Sequence, residues 1–466
     1  EISFAFSVSF DYSRAISVIQ LMQGYIELIK TVRDWVFNGP ALVLLLITGI
    51  FLSFQLKLVQ VRFLGQGFKR MLVGGQQASG KGDVNAFQAM MISMAGTIGT
   101  GNITGIATAV VVGGYGAIFW MWVVAFFGMA TAYAETILGH HFRTFNQNGS
   151  VCGGPMYTLS QGLGYKKLGI FFSICAILSS FGYAMVQSNS VVDALVALNH
   201  DWHRAWVGGL VVFATALVVI GGIKILGKVS SVLVPFMALL YCGMGILILV
   251  VHMHKIPSAF VMIVTQAFTG PSVVGGVLGG GLLIAIHTGA QYGIFANEAG
   301  LGSYAISGAS SQVKDPVDQG IQSMTSVFIA TMLVCTMTGL VLAVTSDLVP
   351  THLVGSPLAM AAFSTFHPIF RYLLLIGLVL FAFTTILAWQ YYGEKCMEYI
   401  MGTSCLIIYR MVFLVMVFLG GILQLDAVWA TAHLANACMI IPNTISILLL
   451  VDVVKQKTLS HRLQGA

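Results

Sequence analysis

Apolar residues in this chain come in long uninterrupted blocks, not in the alternation of a half-buried strand or the narrow stripe of a surface helix. Stretches close to 20 residues, the length that crosses a bilayer as a helix, fall at 36–56, 86–112, 116–138, 168–190, 205–222, 229–251, 277–306, 321–346, 370–396, 407–424 and 427–450. The pattern predicts an all-α integral membrane protein with about eleven transmembrane helices. Upstream, Ile19, Met22, Ile26, Ile29 and Val36 recur at helical spacing over 15–36. They predict an amphipathic helix lying on the outer surface, an external segment over 1–35.

Two blocks break the pattern. The second reads SMAGTIGTGNITG around Gly99-Thr100-Gly101-Asn102, and the seventh reads HTGAQYGIFANEAGLG from His287 to Gly302. Glycine and polar residues at mid-depth suit a helix that stops, opens its backbone and restarts. Open backbone inside a bilayer is tolerated only where protein buries it or a cavity solvates it. Five spans begin with each break, and an odd number of spans makes the second unit enter from the opposite side. The expected organisation is therefore an extra span at 36–56, a first repeat over 86–251, an inverted second repeat over 277–450 and a tail over 451–466, with a midplane site between the two broken helices. The loops at 57–83 and 139–167 are expected to be connectors, the first mobile through GGQQASGKGD.

Composition narrows the class. Of 466 residues, 57% are hydrophobic and only 8% charged, against about 25% charged in a soluble domain. Most of the 22 Lys and Arg collect in alternate loops if the N-terminus lies outside and the C-terminus in the cytoplasm. The net charge of +6 thus reflects orientation in a lipid bilayer; without a basic soluble module, no nucleic-acid partner is expected. The seven cysteines are scattered and form no C-x-x-C pair, so neither a disulfide framework nor a zinc site is implied. H-E-x-x-H and G-x-S-x-G are absent, so enzymatic chemistry is not expected. An ion channel would need a filter-like repeat or charged ring, and none is found. The chain leaves its oligomeric state open.

A zwitterion bound at such breaks needs donors for a carboxylate and acceptors for an ammonium. Thr100, Gly101 and Asn102 can offer backbone N–H groups where the second half-helix begins, at its partially positive end. Gly101 lets a ligand approach the backbone. Carbonyls from Gly293 to Phe295 are expected to meet the ammonium, and Asn297 to hold the unwound backbone or touch substrate. A buried amide such as Gln187 faces the interior. Trp389 is the candidate pocket wall, with Phe295 opposite. Glu135, Glu298 and Glu394 are expected in structural or gating roles, Glu394 pairing locally with Lys395. His287 is a candidate protonatable gate or a structural histidine.

The run Gly113-Gly114-Tyr115-Gly116-Ala117-Ile118-Phe119-Trp120-Met121-Trp122, continuing to Gly128, resembles the defining motif of the sodium:alanine symporters, the alanine or glycine:cation symporter family. GTGNITGIATAV, GMATAYAE, GGPMY, GIFANEAGLGS, VCTMTGLV and WQYYGEKCMEY resemble family blocks in the same order, over roughly 36–450. The resemblance implies a LeuT-type five-plus-five fold and sodium-coupled uptake of small neutral amino acids such as alanine, glycine, D-alanine or serine. It implies a pocket-lining role for Gln187. It also implies a sodium ion held by the carbonyls of Ala95, Ile98 and Phe381 and the hydroxyls of Thr384 and Thr385. A proton-coupled symporter, with His287 or a glutamate titrating, stays open as the alternative.

Overall fold

The computed structural model describes residues 24, 27–73, 80–198, 201–269, 278–350, 352–423 and 426–465. Among these residues it is a helical bundle with one small sheet, Thr144–Phe145 paired with Val151–Cys152, closing a loop. The membrane-length helices are α1 (Glu27–Gln55), α4 (Gly116–His141), α5 (Lys166–Val196), α7 (Gly222–Val251), α11 (Pro316–Val344), α12 (Ile369–Met401), α13 (Thr403–Ile422) and α14 (Val428–Leu449). Between α1 and α4 lie the half-helices α2 (Ala86–Thr97) and α3 (Thr104–Gly113). A 17-residue apolar helix, α6 (Arg204–Ile220), joins α5 to α7. Next come α8 (Ile256–Thr269) and the second pair of half-helices, α9 (Leu278–Asn297) and α10 (Ser303–Ala309). A terminal helix, α15 (Val451–Gly465), follows α14.

Several expectations change. The helix that contains residues 36–56 begins earlier: it runs continuously from Glu27 and passes through a π-turn at Phe37–Ala41, where Pro40 removes a backbone donor. Of the amphipathic segment, Ile19, Met22 and Ile26 lie outside the described residues, while Ile29 and Val36 belong to this helix. Part of the 57–83 connector is helical, at Val59–Arg62 and Leu64–Val73. The chain reverses through left-handed backbone at Lys57 and Leu58, and from Gly80 onward it is pinned by hydrogen bonds to Ser310 and Gln312. Of GGQQASGKGD, residues 74–79 lie outside the described residues. The segment between 251 and 277 contains α8, which hydropathy alone did not separate from its neighbours. Glu394 pairs with Arg410 across to α13 at 2.7 Å, and Lys395 pairs with Glu398. One helical turn on α12 favours the three-residue spacing over adjacent positions, whose side chains diverge.

The Gly113–Trp122 motif makes the α3–α4 corner. Gly114 takes φ +69°, which only glycine adopts freely. A Cβ on Gly116 would lie 2.3 Å from the Gln266 carbonyl oxygen. In return, Gln266 accepts the Tyr115 N–H at 2.9 Å, and the Trp120 indole donates to the Ala267 carbonyl at 2.9 Å. The motif therefore clamps α8 onto the α3–α4 corner.

Candidate functional site

Both interrupted blocks are interrupted in the fold. In the first, α2 ends at Thr97, Ile98 turns away from helical geometry (φ −92°, ψ 85°), and Gly99 is extended before a single tight turn at Thr100–Asn102. Asn102 stitches this gap: its Oδ1 accepts the Gly99 N–H at 3.0 Å, and its own N–H donates to the Gly99 carbonyl. Of the three amides expected to face a carboxylate, those of Thr100 and Gly101 therefore remain to serve one. The Asn102 Nδ2 reaches the Ala330 carbonyl at 3.1 Å and, at 3.4 Å, the Ala296 carbonyl at the end of α9. The two broken helices thus meet through one amide.

The second break lies later than expected. Gly293 and Phe295 sit inside α9, whose helix runs to Asn297, and Gly293 packs against Met121. The backbone opens at Glu298–Gly302, where Glu298, Gly300 and Gly302 all have positive φ. Carbonyls of Gly293–Phe295 are thus inside helical geometry, because Gly293 serves close packing of α9 on α4. At the start of the opened chain the Asn297 Oδ1 accepts the Ala299 N–H at 3.0 Å. From α14, Asn443 donates to both the Gly300 carbonyl and Glu135.

Around the first break, Gln187 accepts the Thr100 hydroxyl at 2.9 Å. A Cβ on Gly99 would meet Thr385 Oγ1 at 2.7 Å and Gln187 Nε2 at 3.2 Å. The Phe295 ring lies on Gly101, where a Cβ would come within 2.6 Å of it. Trp389 is fully buried, and its indole donates to Glu298 Oε1 at 2.8 Å. Between Trp389 and Phe295 stands Tyr183, stacked on the indole at 3.9 Å and parallel to the phenyl ring at 5.3 Å. Trp389 and Phe295 are thus not facing walls of an open chamber; Tyr183, tied by its hydroxyl to Asn436, occupies the space between them. Outside this stack, Phe295 contacts His433 and Trp429. Tyr183 was missed from the sequence although it lies one helical turn before Gln187, on the same face of α5.

The expected cation ligands separate into two groups. The Thr385 hydroxyl lies between the carbonyls of Ala95 (3.0 Å) and Phe381 (2.9 Å), at the end of α2. Ile98 is buried at the start of the break. Thr384 turns its hydroxyl back to the carbonyls of Leu380 and Phe381 and toward the Met237 sulfur. These oxygens are hard, neutral donors of the kind sodium takes. His287 lies on α9, with Nδ1 buried and unpartnered.

The chain resembles known transporters over nearly its whole length. It is 44% identical over 442 residues to the sodium/alanine symporter AgcS of Methanococcus maripaludis, covering 93% of this chain and 96% of that one. It is 34% identical to the probable sodium/glutamine symporter GlnT of Bacillus subtilis, covering 93% and 90% respectively. A solved manganese transporter of Eremococcus coleocola superposes with a TM-score of 0.54 at 14% identity, covering 80% of this chain and 79% of that one. That likeness supports the LeuT-type fold. The sodium:alanine symporter family profile matches residues 22–464, so this integral membrane protein is a transporter, not an enzyme, and belongs to the sodium:alanine symporter family.

Proposed function

We propose that the protein takes up a small neutral amino acid, alanine or glycine and their close analogues, together with sodium by alternating access. The observation that carries this reading is the Thr385 hydroxyl held between the Ala95 and Phe381 carbonyls directly below a backbone break. Ala95, Ile98, Phe381 and Thr385 would hold sodium, while the Thr384 hydroxyl, turned toward Met237, would stay off the ion. The amides of Thr100 and Gly101 would take the substrate carboxylate, and Gln187 would orient Thr100. Asn102 and Asn297 would hold the two broken backbones, and the ammonium would meet the opened chain after Asn297. Tyr183, stacked between Phe295 and Trp389, would have to move for substrate to enter and would leave room only for a short side chain.

The repeats 86–251 and 277–450 would rock about the breaks, with the extra span at 36–56 alongside. The N-terminus would lie outside and the C-terminus inside a cytoplasmic membrane. The driving force suffices: about 100 mV contributes roughly 2.3 kcal/mol per charge, and a tenfold sodium gradient adds about 1.4 kcal/mol. One sodium per substrate would then support roughly 500-fold accumulation. In proteoliposomes, labelled alanine should accumulate only when sodium is higher outside. Entry indifferent to the sodium gradient, whether or not a pH gradient drives it, would overturn sodium coupling.

A further inference from the structure

Glu298 is a carboxylate in the middle of the bundle with too few partners. The residue is fully buried. Its Oε1 accepts the Trp389 indole, while Oε2 has no hydrogen-bond partner. Among the described residues no lysine, arginine or histidine acts on it. Leaving such a group ionised and unpaired in a low-dielectric interior costs several kcal/mol, so it calls for a positive partner.

The surroundings suit one. Ser303, at the first turn of α10, lies beside the carboxyl, and Tyr304 follows it. The Ser303 and Tyr304 hydroxyls are both buried and make no hydrogen bond of good geometry, Ser303 standing near the Glu298 carboxyl and Tyr304 near Thr97. A Cβ on Gly96 would stand 3.4 Å from Glu298 Oε2 and 2.9 Å from the Tyr392 hydroxyl, so the carboxyl and this second phenol face the same bare stretch of α2. The remaining titratable groups that face Glu298 are acids and phenols: Glu135 of α4, held by Asn443, and Tyr183 of α5. The carboxyl is thus surrounded by hydroxyls, phenols and a second acid, with no cationic side chain acting on it among the described residues. It also lies next to the first ion position: Ala95 turns its carbonyl to Thr385, while Gly96 approaches Glu298. On α12, Thr385 and Trp389 are one turn apart on one face, so the helix that serves the first position also grips Glu298.

We propose that Glu298, with Ser303, Tyr304 and the bare backbone at Gly96, binds a second co-transported monovalent cation, sodium or a proton, distinct from the ion at Thr385. The carboxylate's position in the opened segment of the second broken helix makes its neutralisation sensitive to rocking of that helix. This rests on the transport reading above.

The test is static-head accumulation of labelled alanine in proteoliposomes with the membrane potential clamped at zero. Equilibrium accumulation then rises as the sodium gradient raised to the number of sodium ions moved. With two sodium ions, a tenfold gradient gives about 100-fold accumulation; with one sodium and one proton it gives about tenfold, and an inward gradient of about one pH unit adds another tenfold. Either result in the wild type, falling to about tenfold and pH-independent in Glu298→Gln, is expected. A wild-type value of about tenfold, unmoved by a pH gradient, overturns the second cation without recourse to any variant. Unchanged stoichiometry in Glu298→Gln overturns its assignment to this residue. If that variant does not insert, Ser303→Ala serves: a fall in the sodium or pH dependence of accumulation supports the site, and identical behaviour overturns it. No accumulation under any gradient sinks the transport reading, and this inference with it.

Discussion

Adjacent threonines illustrate how one residue step changes a role. Thr384 and Thr385 are both buried on α12, yet a helix turns about 100° per residue. Thr385 consequently faces the end of α2, and Thr384 faces Met237 on α7. Thr385→Ala should therefore raise the sodium concentration for half-maximal uptake roughly tenfold or more, the scale of losing one ligand to a charged group. Thr384→Ala should shift it much less. Sodium titration of alanine uptake separates the two, and equal shifts would put both hydroxyls on the ion. Gly101 is a second single-atom decision. A methyl there meets the Phe295 ring at 2.6 Å, and that ring is fixed by stacking. Gly101→Ala should abolish uptake while membrane insertion persists, as read by transport alongside size-exclusion behaviour of the detergent-solubilised protein.

Among elements, the seam between the first broken helix and α11 carries the most polar responsibility. α11 contains a π-helical stretch at Phe328–Cys335. Such widened turns release carbonyls from the regular ladder, and here Ala330 accepts from Asn102 while Thr338 donates to the Asn102 carbonyl at 2.7 Å. Asn102→Ala would strip the Gly99 N–H of its acceptor, at a cost of about 1–3 kcal/mol for a buried group left unpaired, and leave the Ala330 carbonyl only the weak Cys335 thiol donor. A clear drop in the thermal unfolding midpoint in detergent is expected; an unchanged midpoint would mean water replaces the amide. The polar glycine-rich run announced the break, but not its partner. Nothing in FIATMLVC differs visibly from a regular apolar helix, because a π-turn here answers to a side chain from over 200 residues away.

For the whole molecule, the last helix closes the bundle at the end where α11 begins. His461 of α15 pairs with Asp315, the N-cap of α11, and Arg70 of the Leu64–Val73 helix pairs with Asp318 at 2.7 Å. Tyr133 reaches Thr458 from α4. Burial works to raise the Asp315 carboxyl, but the His461 ring and the Val317 N–H outweigh it and hold it below its ordinary value. A depressed carboxylate adds stability above its unfolded pKa, near 3.9, and loses that stability as pH falls through the folded value. Asp315→Asn should therefore be less stable than the wild type at neutral pH, with the difference starting to shrink only below about pH 4 and vanishing below the lowered folded value. Unfolding midpoints across that range provide the check, and a pH-independent difference would assign the loss to packing instead.

The sequence alone determined the membrane setting, the two interruptions and the family. These follow from local quantities: length of apolar run, glycine among polar residues, and ordered motif blocks. Tertiary structure alone decided that the second opening lies at Glu298–Gly302 and not at Gly293, and that Glu394 reaches Arg410. It likewise placed Tyr183 between Trp389 and Phe295 and left one oxygen of Glu298 unmatched. Each depends on which distant helix face comes within hydrogen-bonding or van der Waals reach, a distance the order of residues along one chain does not encode.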